Sequence, residues 1–290
     1  MKISKRIISL LMAALLVFGL PLSAFASDGG EIRIATAEDW KSFVKNCKLD
    51  TWSVGKTVVL DADLDLGGSF TPVPVFSGTF DGNGHSIHMG SYTSAASDTG
   101  VFRYVSEGAV VKNLTVTGTW EPTGGKSAIG GIVGHNSGTI ENCMFNGVVD
   151  GKNNIGGIAG INENTGVITG CTVRGEIRGE HYTGGVAGQN LGSIIRCTNE
   201  SSVNTDGAEI APTLDDIDVT HINNTENLSV YTDTGGITGF SSGLLQGCQN
   251  TGEIGYPHVG YNVGGIAGRQ SGYLHDCENR GAVYGRKDVG

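Results

Sequence analysis

Apolar residues beyond residue 30 occur mostly in short runs of two or three, with glycine or polar residues between them. The runs are rich in valine and isoleucine, and there is no long stretch with the 3.6-residue period of a helix. Short β-branched runs bounded by glycine are typical of strands. The pattern therefore predicts an all-β chain built from many short strands and tight turns.

One arrangement of glycine, apolar and cysteine positions repeats five times in the second half of the chain. In its first copy, the pair Gly130-Gly131 precedes Ile132, and Ile140 and Cys143 follow. Successive glycine pairs are 26, 28, 51 and 29 residues apart. The equivalent cysteines are Cys143, Cys171, Cys197, Cys248 and Cys277. This period is too short for a propeller blade and contains no helix-forming stretch, so it indicates a β-solenoid.

Each copy holds three short segments, around Ile132, between Ile140 and Cys143, and around Val149. We interpret one copy as a triangular coil of three strands. Each strand pairs in parallel with its equivalent one coil away, at about 4.8 Å. Identical side chains then stack in columns inside the coil, and no coil buries its apolar side without a neighbour. The predicted fold is a right-handed parallel β-helix.

The run Gly-Gly-Ile-Val-Gly-x-Asn-x-Gly-x-Ile-x-Asn-Cys, which begins at Gly130, closely resembles the GLUG motif of bacterial surface proteins. That motif also occurs in the non-catalytic part of immunoglobulin A-cleaving zinc metallopeptidases. The resemblance covers residues 125–290 directly, and the segments 76–85 and 99–102 look like the N-terminal coils that precede such repeats. It implies a β-helix on a secreted protein, and it implies no chemistry.

The first 26 residues have the pattern of a secretory signal. Three basic residues precede an apolar stretch from Ile7 to Leu20, and Ala24-Phe25-Ala26 gives the small residues that a signal peptidase requires. The apolar stretch is too short for a stable membrane span. We therefore expect a secreted or cell-surface protein with no membrane span after cleavage.

The remaining chain divides into three regions. Residues 27–56 are predicted to hold a first strand and a capping helix, in which Thr36 and Asp39 form a capping box. Residues 57–124 are predicted to form the N-terminal coils, and residues 125–290 the GLUG-type repeats. The 51-residue interval contains an insertion at about 206–230, which we interpret as an extruded loop, with a degenerate extra coil as the alternative. The last residues restart the pattern, so we expect a fragment of a longer chain.

Composition narrows the class of partner. Glycine accounts for 48 of 290 residues, which fits many turns, and the absence of a Gly-X-Y period excludes collagen. The formal charge of −10 becomes more negative when the signal is removed, because the signal carries only positive charges. Nucleic acid and anionic lipid need basic patches, so neither is expected as a partner. A glycan or a host or cell-surface protein is the partner to test.

The five equivalent cysteines raise the question of disulfides or metal. Stacked cysteines have parallel Cβ vectors about 4.8 Å apart, whereas a disulfide prefers about 3.8 Å. A straight column also cannot place four sulfurs tetrahedrally around zinc. We predict a structural ladder of free, buried thiols. Two residues after the last three of these cysteines, Asn199, Asn250 and Asn279 are predicted to form an inward amide ladder.

Calcium is the only cofactor that the sequence suggests, at two acidic groups. In the first, Asp61, Asp63 and Asp65 alternate and would share one face of a strand. The second group consists of Asp215, Asp216 and Asp218. The first group does not fit an EF-hand loop, and a solvated strand face is its simpler interpretation.

A carbohydrate-active β-helix, either a polysaccharide lyase or an inverting glycosidase, is the enzymatic alternative. It would need paired carboxylates on an outer face. Glu176 and Glu253 occupy equivalent positions two coils apart, which would separate them by about 9–10 Å. The adjacent coils supply no residue that would complete a catalytic site with these two glutamates. The His-Glu-x-x-His sequence of a zinc peptidase is also absent.

The sequence therefore favours a non-catalytic extracellular repeat module. It would act as a stalk, an adhesin-like module or a binding scaffold, and the non-catalytic N-terminal part of a secreted metallopeptidase is a further alternative. We expect the insertion and six tyrosines to give a contact face. These tyrosines are Tyr182, Tyr231, Tyr256, Tyr261, Tyr273 and Tyr284.

Overall fold

The structure is a computed structural model that describes residues 30–206 and 231–290. The predicted signal at 1–26, nearly all of the insertion and the acidic group at 215–218 lie outside the described residues. Within the described part of the chain, no helix has the length and apolar character that a membrane span requires.

Four parallel sheets, which we name A to D, contain the strands, and each coil passes through them in the order A, B, D, C. Sheet A consists of Glu31–Ile34, Thr57–Leu60, Thr79–Asp81, Val110–Lys112, Thr139–Glu141, Val167–Thr169, Ser193–Ile195, Leu244–Gln246 and Tyr273–His275. Sheet B consists of Leu64–Asp65, Ser86–Tyr92, Thr115–Trp120, Met144–Asp150, Thr172–Arg178, Thr198–Asn199, Ser202–Val203, Gln249–Asn250 and Glu278–Asn279.

The other two sheets occupy the third side of the coil. Sheet D consists of Ile129–Gly130, Asn153–Gly156, His181–Gly184, Thr232–Gly235, Tyr261–Gly264 and Lys287–Val289. Sheet C consists of Val73–Phe76, Phe102–Val105, Val133–Asn136, Ala159–Asn162, Ala187–Asn190, Thr238–Ser241 and Ala267–Gln270. Every pairing between these strands is parallel, which confirms the predicted parallel β-helix. The helix has about eight turns.

The prediction of three strands per coil is wrong, because each coil of the repeat has four. The predicted strand around Ile132 is split, and Ile132 lies in the bend between Ile129–Gly130 and Val133–Asn136. A side chain at Gly131 would collide with the carbonyl of Gly157 in the next coil and with the ring of Phe145. The glycine pair thus permits a sharp bend at which neighbouring backbones touch.

The predicted apolar columns are confirmed by the strand register. Ile140 lies opposite Ile168, which lies opposite Ile194, and all three are fully buried. A second buried column on sheet B contains Val149 and Ile177. Burial of each such side chain contributes about 1.5–3 kcal/mol to stability, and the neighbouring coil supplies much of the cover.

The capping helix is also confirmed. It spans Ala37–Asn46, and the Thr36 side chain and the Asp39 carboxylate form the predicted reciprocal capping box. The helix buries Trp40, Phe43 and Val44 against the first coils. The Phe43 ring lies 5.9 Å from that of Phe76. An aromatic cluster therefore covers the apolar interior at the N-terminal end of the coils, and a short 3-10 turn at Gly67–Ser69 follows.

The coils on either side of the insertion pair directly with each other. His181 lies opposite Thr232 on sheet D, and Ala187 lies opposite Thr238 on sheet C. The interruption of the repeat thus falls between Val203 and Thr232, at the corner between sheets B and D. In the described residues, the coils on either side of the insertion are adjacent, so no extra coil lies between them.

Two ladders of buried asparagine amides run from coil to coil. The predicted ladder is present, since Asn199 donates to Asn250 at 2.8 Å and Asn250 donates to Asn279 at 2.7 Å. A second ladder at the end of sheet C was not predicted. Its members are Asn136, Asn162, Asn190 and Ser241, joined by bonds of 2.8, 2.8 and 3.0 Å.

A column of left-handed residues explains the third glycine of each repeat. Its members are Asp98, Ala128, Asn154, Tyr182, Asp233, Asn262 and Asp288, with φ between 53° and 57°. The third glycine of the next coil lies directly against this backbone, as Gly188 does against Asn154. Only glycine fits at the position of the third glycine. In the left-handed column, stacking holds even Ala128 and Tyr182 in a conformation that costs roughly 1–2 kcal/mol.

The Gly188→Ala substitution is expected to lower the free energy of unfolding by about 1–3 kcal/mol, because the new methyl group would collide with the backbone of Asn154 and Ile155. Urea unfolding monitored by circular dichroism measures the change. Gly68→Ala is the matched control, since open space surrounds that glycine. Equal stability of the two variants would contradict the packing role of the third glycine.

The Asn162→Ala substitution is expected to lower the free energy of unfolding by about 3 kcal/mol. It leaves the buried amide oxygen of Asn190 without its donor and removes the acceptor of Asn136. Asn164→Ala, in the exposed corner two residues later, should change stability by less than about 0.5 kcal/mol. The same urea experiment compares the two. A cost for Asn162→Ala no larger than that of its control would argue against the ladder as a source of stability.

Candidate functional site

The structure places the five repeat cysteines in one column at the start of sheet B, and all six cysteines are free. Each thiol of the column up to Cys248 is buried, whereas Cys277 is partly exposed. The Cys171 sulfur lies 3.7 Å from the carbonyl oxygen of Ile140 in the preceding coil. Burial raises the pKa of Cys171 well above its usual value, and it raises that of Cys47 to about 12. The Cys171 and Cys47 thiols therefore stay protonated and act as small apolar side chains.

The structure does not gather the acidic residues of the first calcium candidate, so the expectation of one shared strand face is wrong. Asp61 and Asp63 lie in the corner between Thr57–Leu60 and Leu64–Asp65, and each has its own partner. Asp61 accepts a bond of 2.7 Å from Arg33. Asp63 accepts from the amide of Ser86 at 2.7 Å, which lowers its pKa. Within the described residues, no group of three or more metal-binding side chains is found.

Glu176 and Glu253 stand in one column on sheet B, as the sequence indicates. Glu176 lies opposite Ser202, and the pairing of Val203 with Ile254 places Glu253 in the next coil of that column. The Glu176 carboxylate forms an ion pair of 2.8 Å with Arg178. The Glu176 carboxylate is thus already engaged by a side chain of its own strand at the surface.

The six tyrosines do not all share one exposed face, because Tyr273 lies on sheet A and Tyr261 on sheet D. Tyr261 is buried, with 4% of its surface exposed, whereas Tyr273 and Tyr284 are exposed in the last coil. Tyr231 and Tyr256 line a cavity of about 30 Å³, which has room for only one or two water molecules.

Sheet C carries a more continuous outer surface. One residue of each strand points outward, and the register aligns these residues in what we call the outer column. Its members are Val75, Tyr104, His135, Ile161, Gln189, Phe240 and Arg269. Planar or apolar side chains therefore follow one another along the axis at the coil spacing of about 4.8 Å.

Near one end of the outer column, His135 joins three coils. Its Nε2 lies 3.1 Å from Asp98 of the preceding coil, and its Nδ1 lies 2.8 Å from Glu163 of the following coil. The imidazole also stacks on Tyr104, with ring centres 5.2 Å apart. These contacts fix both rings, so this part of the surface is preorganised.

Near the other end, the Arg269 guanidinium covers two rings. It lies 5.6 Å from the centre of the Tyr182 ring and 5.0 Å from that of Phe240. Asp233, only 8% exposed in its side chain, lies 3.5 Å from Arg269 Nε. The rings at this end are thus partly occupied by a cation of the protein itself.

The corners between sheets C and A differ in length, and this difference creates a groove. Two residues, Ser137 and Gly138, join the strands of the His135 coil, whereas four residues join them in the coils on either side. The longer corners, 106–109 and 163–166, each close as a turn. The short corner is recessed between them.

We call this recess the notch. It has a volume of about 450 Å³ and is lined by Tyr104, Val105, Ser106, His135, Ser137, Glu163, Asn164 and Thr165. Sequence reasoning missed it because the notch depends on a comparison of corner lengths, which requires the strand bounds of sheets C and A. The signal is nevertheless present, since Glu163-Asn164-Thr165 stands where the preceding repeat has only Ser137.

The fold and these columns define a parallel β-helix built from repeated coils. Residues 125–150 and 151–178 match the model of the family described as the GLUG motif. These two segments therefore match the motif that their sequences resemble.

Two known proteins resemble the chain. Halomucin of Haloquadratum walsbyi is 33% identical over 100 residues, which are 32% of this chain and 1% of that protein. The chain thus spans a very small part of that relative. The crystal structure of a candidate immunoglobulin A1 protease from Bacteroides ovatus superposes with a TM-score of 0.57. At 19% identity, over 87% of this chain and 75% of the other, it shows a shared fold.

The burial of the thiols leads to a prediction about their reactivity. In the native protein, a thiol reagent such as dithionitrobenzoate is expected to modify one of the six cysteines, Cys277, and all six in urea. The reaction should be slow, because the neighbouring Cys248 thiol raises the pKa of Cys277 and little thiolate is present. Cys277→Ser should abolish the native reaction, whereas Cys171→Ser should leave it unchanged. Rapid modification of several thiols in the folded chain would contradict a buried column.

Proposed function

We propose that this chain is a non-catalytic extracellular repeat module that serves as a rigid scaffold or stalk and presents an adhesin-like outer surface. The observation that carries this proposal is the unbroken pairing of sheet A, from Glu31–Ile34 to Tyr273–His275. Eight steps of about 4.8 Å give a rod roughly 38 Å long.

The chemistry of the interior supports the same proposal. Side chains with catalytic potential, the thiols and amides, are engaged in column contacts between coils. Their repetition at equivalent positions is what a stacking role requires. The signal-like segment at residues 1–26 and the free thiols protected by burial suit a protein that functions outside the cell.

Expression of the whole chain in a bacterial host tests the location. The protein is expected in the medium or on the cell surface, and a variant without residues 1–26 is expected to stay in the cytoplasm. Immunoblots of the fractions measure the distribution. Retention of the whole chain in the cytoplasm would contradict an extracellular function.

A separate assay tests the absence of catalysis. The exported chain, incubated with neutral and acidic polysaccharides, is expected to release no reducing ends above those of buffer. Activity that is lost in Glu176→Gln and kept in Glu200→Gln would overturn the proposal. Glu200 is a matched control, because it is also a surface glutamate of this region paired with an arginine, Arg174.

A further inference from the structure

We propose that the notch binds a neutral saccharide of one or two pyranose rings, with Tyr104 as the wall against which a ring packs. This inference rests on the proposed function, and it assigns the binding surface of the scaffold to one place. The argument combines the shape, the lining and the charge of the notch.

The shape fits a ligand one ring thick. The two projecting corners belong to coils two steps apart, so their backbones are separated by about 9–10 Å. The two corners themselves occupy part of this distance, and the remaining gap accommodates a single ring. The volume of about 450 Å³ lies within the range of small-molecule sites, roughly 300–1,000 Å³.

The notch is also rigid. The corner of the following coil folds back onto the recessed corner, since the Thr165 hydroxyl donates to the carbonyl of Ser137 at 2.8 Å. On the other side, the Ser106 hydroxyl accepts from that of Ser77 at 2.8 Å. Because both walls are fixed before a ligand arrives, little entropy is lost when a ring enters.

The lining matches the two kinds of surface that a sugar ring presents. The Ser137 hydroxyl and the Asn164 amide can both donate and accept, as sugar hydroxyls do. The Ser106 hydroxyl keeps its O–H as a donor, and the Thr165 hydroxyl can accept.

The Tyr104 ring stacks on His135 and has the Arg103 guanidinium 5.9 Å from its centre. With 37% of its surface exposed, Tyr104 offers the remaining ring surface to the C–H groups of a sugar. A site with one aromatic wall and several small polar groups is typical of specific small-ligand recognition.

Charge indicates a neutral ligand. The carboxylates of Asp98 and Glu163 lie within hydrogen-bond distance of the two His135 ring nitrogens, so both nitrogens are already engaged. An anionic sugar would meet these carboxylates and a chain of formal charge −10. A peptide is also disfavoured, because the coil-to-coil pairing of sheets A and C occupies the backbone groups that strand addition would use.

Saturation-transfer NMR on the exported chain tests the proposal with four probes: cellobiose, lactose, maltose and diacetylchitobiose. At least one is expected to bind with a dissociation constant on the order of 1 mM, as for a small ligand in an open groove. Tyr104→Ala, which removes the wall, and Ser137→Trp, which fills the recess, should each weaken binding by about tenfold or more. Circular dichroism verifies that both variants fold.

Gln189→Ala is the matched control, since Gln189 lies in the same outer column but outside the notch. It should leave binding unchanged, and digalacturonate should bind at least about tenfold more weakly than the best neutral probe. The proposal is overturned by no transfer from any neutral probe, by binding that survives both notch variants, or by equal binding of digalacturonate. Export of the chain and cleavage of polysaccharides are measured in separate assays. A failure to bind saccharides therefore does not contradict the proposed scaffold function.

Discussion

Parallel backbone pairing between equivalent strands of neighbouring coils holds every other feature of this protein in place. The pairing of Ile140 with Ile168 sets the position of each later side chain in the two coils, so that equivalent residues lie opposite each other. The interior columns, the amide ladders and the outer column all follow from that one register. A shift of a single residue would turn the apolar columns outward and break both ladders, so the register is strongly specified.

The amide ladders add to this specification. An apolar column accepts different neighbours of similar size, because isoleucine packs acceptably against any neighbouring isoleucine or valine. A buried amide does not, since Asn162 must meet Asn190 at 2.8 Å or leave its polar atoms without partners. The ladder at the end of sheet C also fixes where each strand stops, because Asn136 bonds both the amide and the carbonyl of Gly138 in the adjoining corner.

Sequence alone predicts the features that repeat and misses those that depend on differences between repeats. The isoleucine and valine columns, the thiol column and the helix over Trp40 and Phe43 are visible because their spacing or capping is distinctive. The fourth strand was missed because the glycine pair hides a bend between two very short strands. The left-handed column was missed because its members include Ala128 and Tyr182, residues without an intrinsic preference for that conformation.

The notch illustrates how a uniform solenoid acquires a distinct site. Because the coils share one register, two extra residues in a corner cannot displace the strands around them and must project from the surface. A short corner between two long ones is then recessed by geometry alone. The contacts of His135 with the carboxylates of the coils on both sides hold the recess in place at its base. Local variation in corner length, set against an invariant core, is therefore the physical origin of the notch.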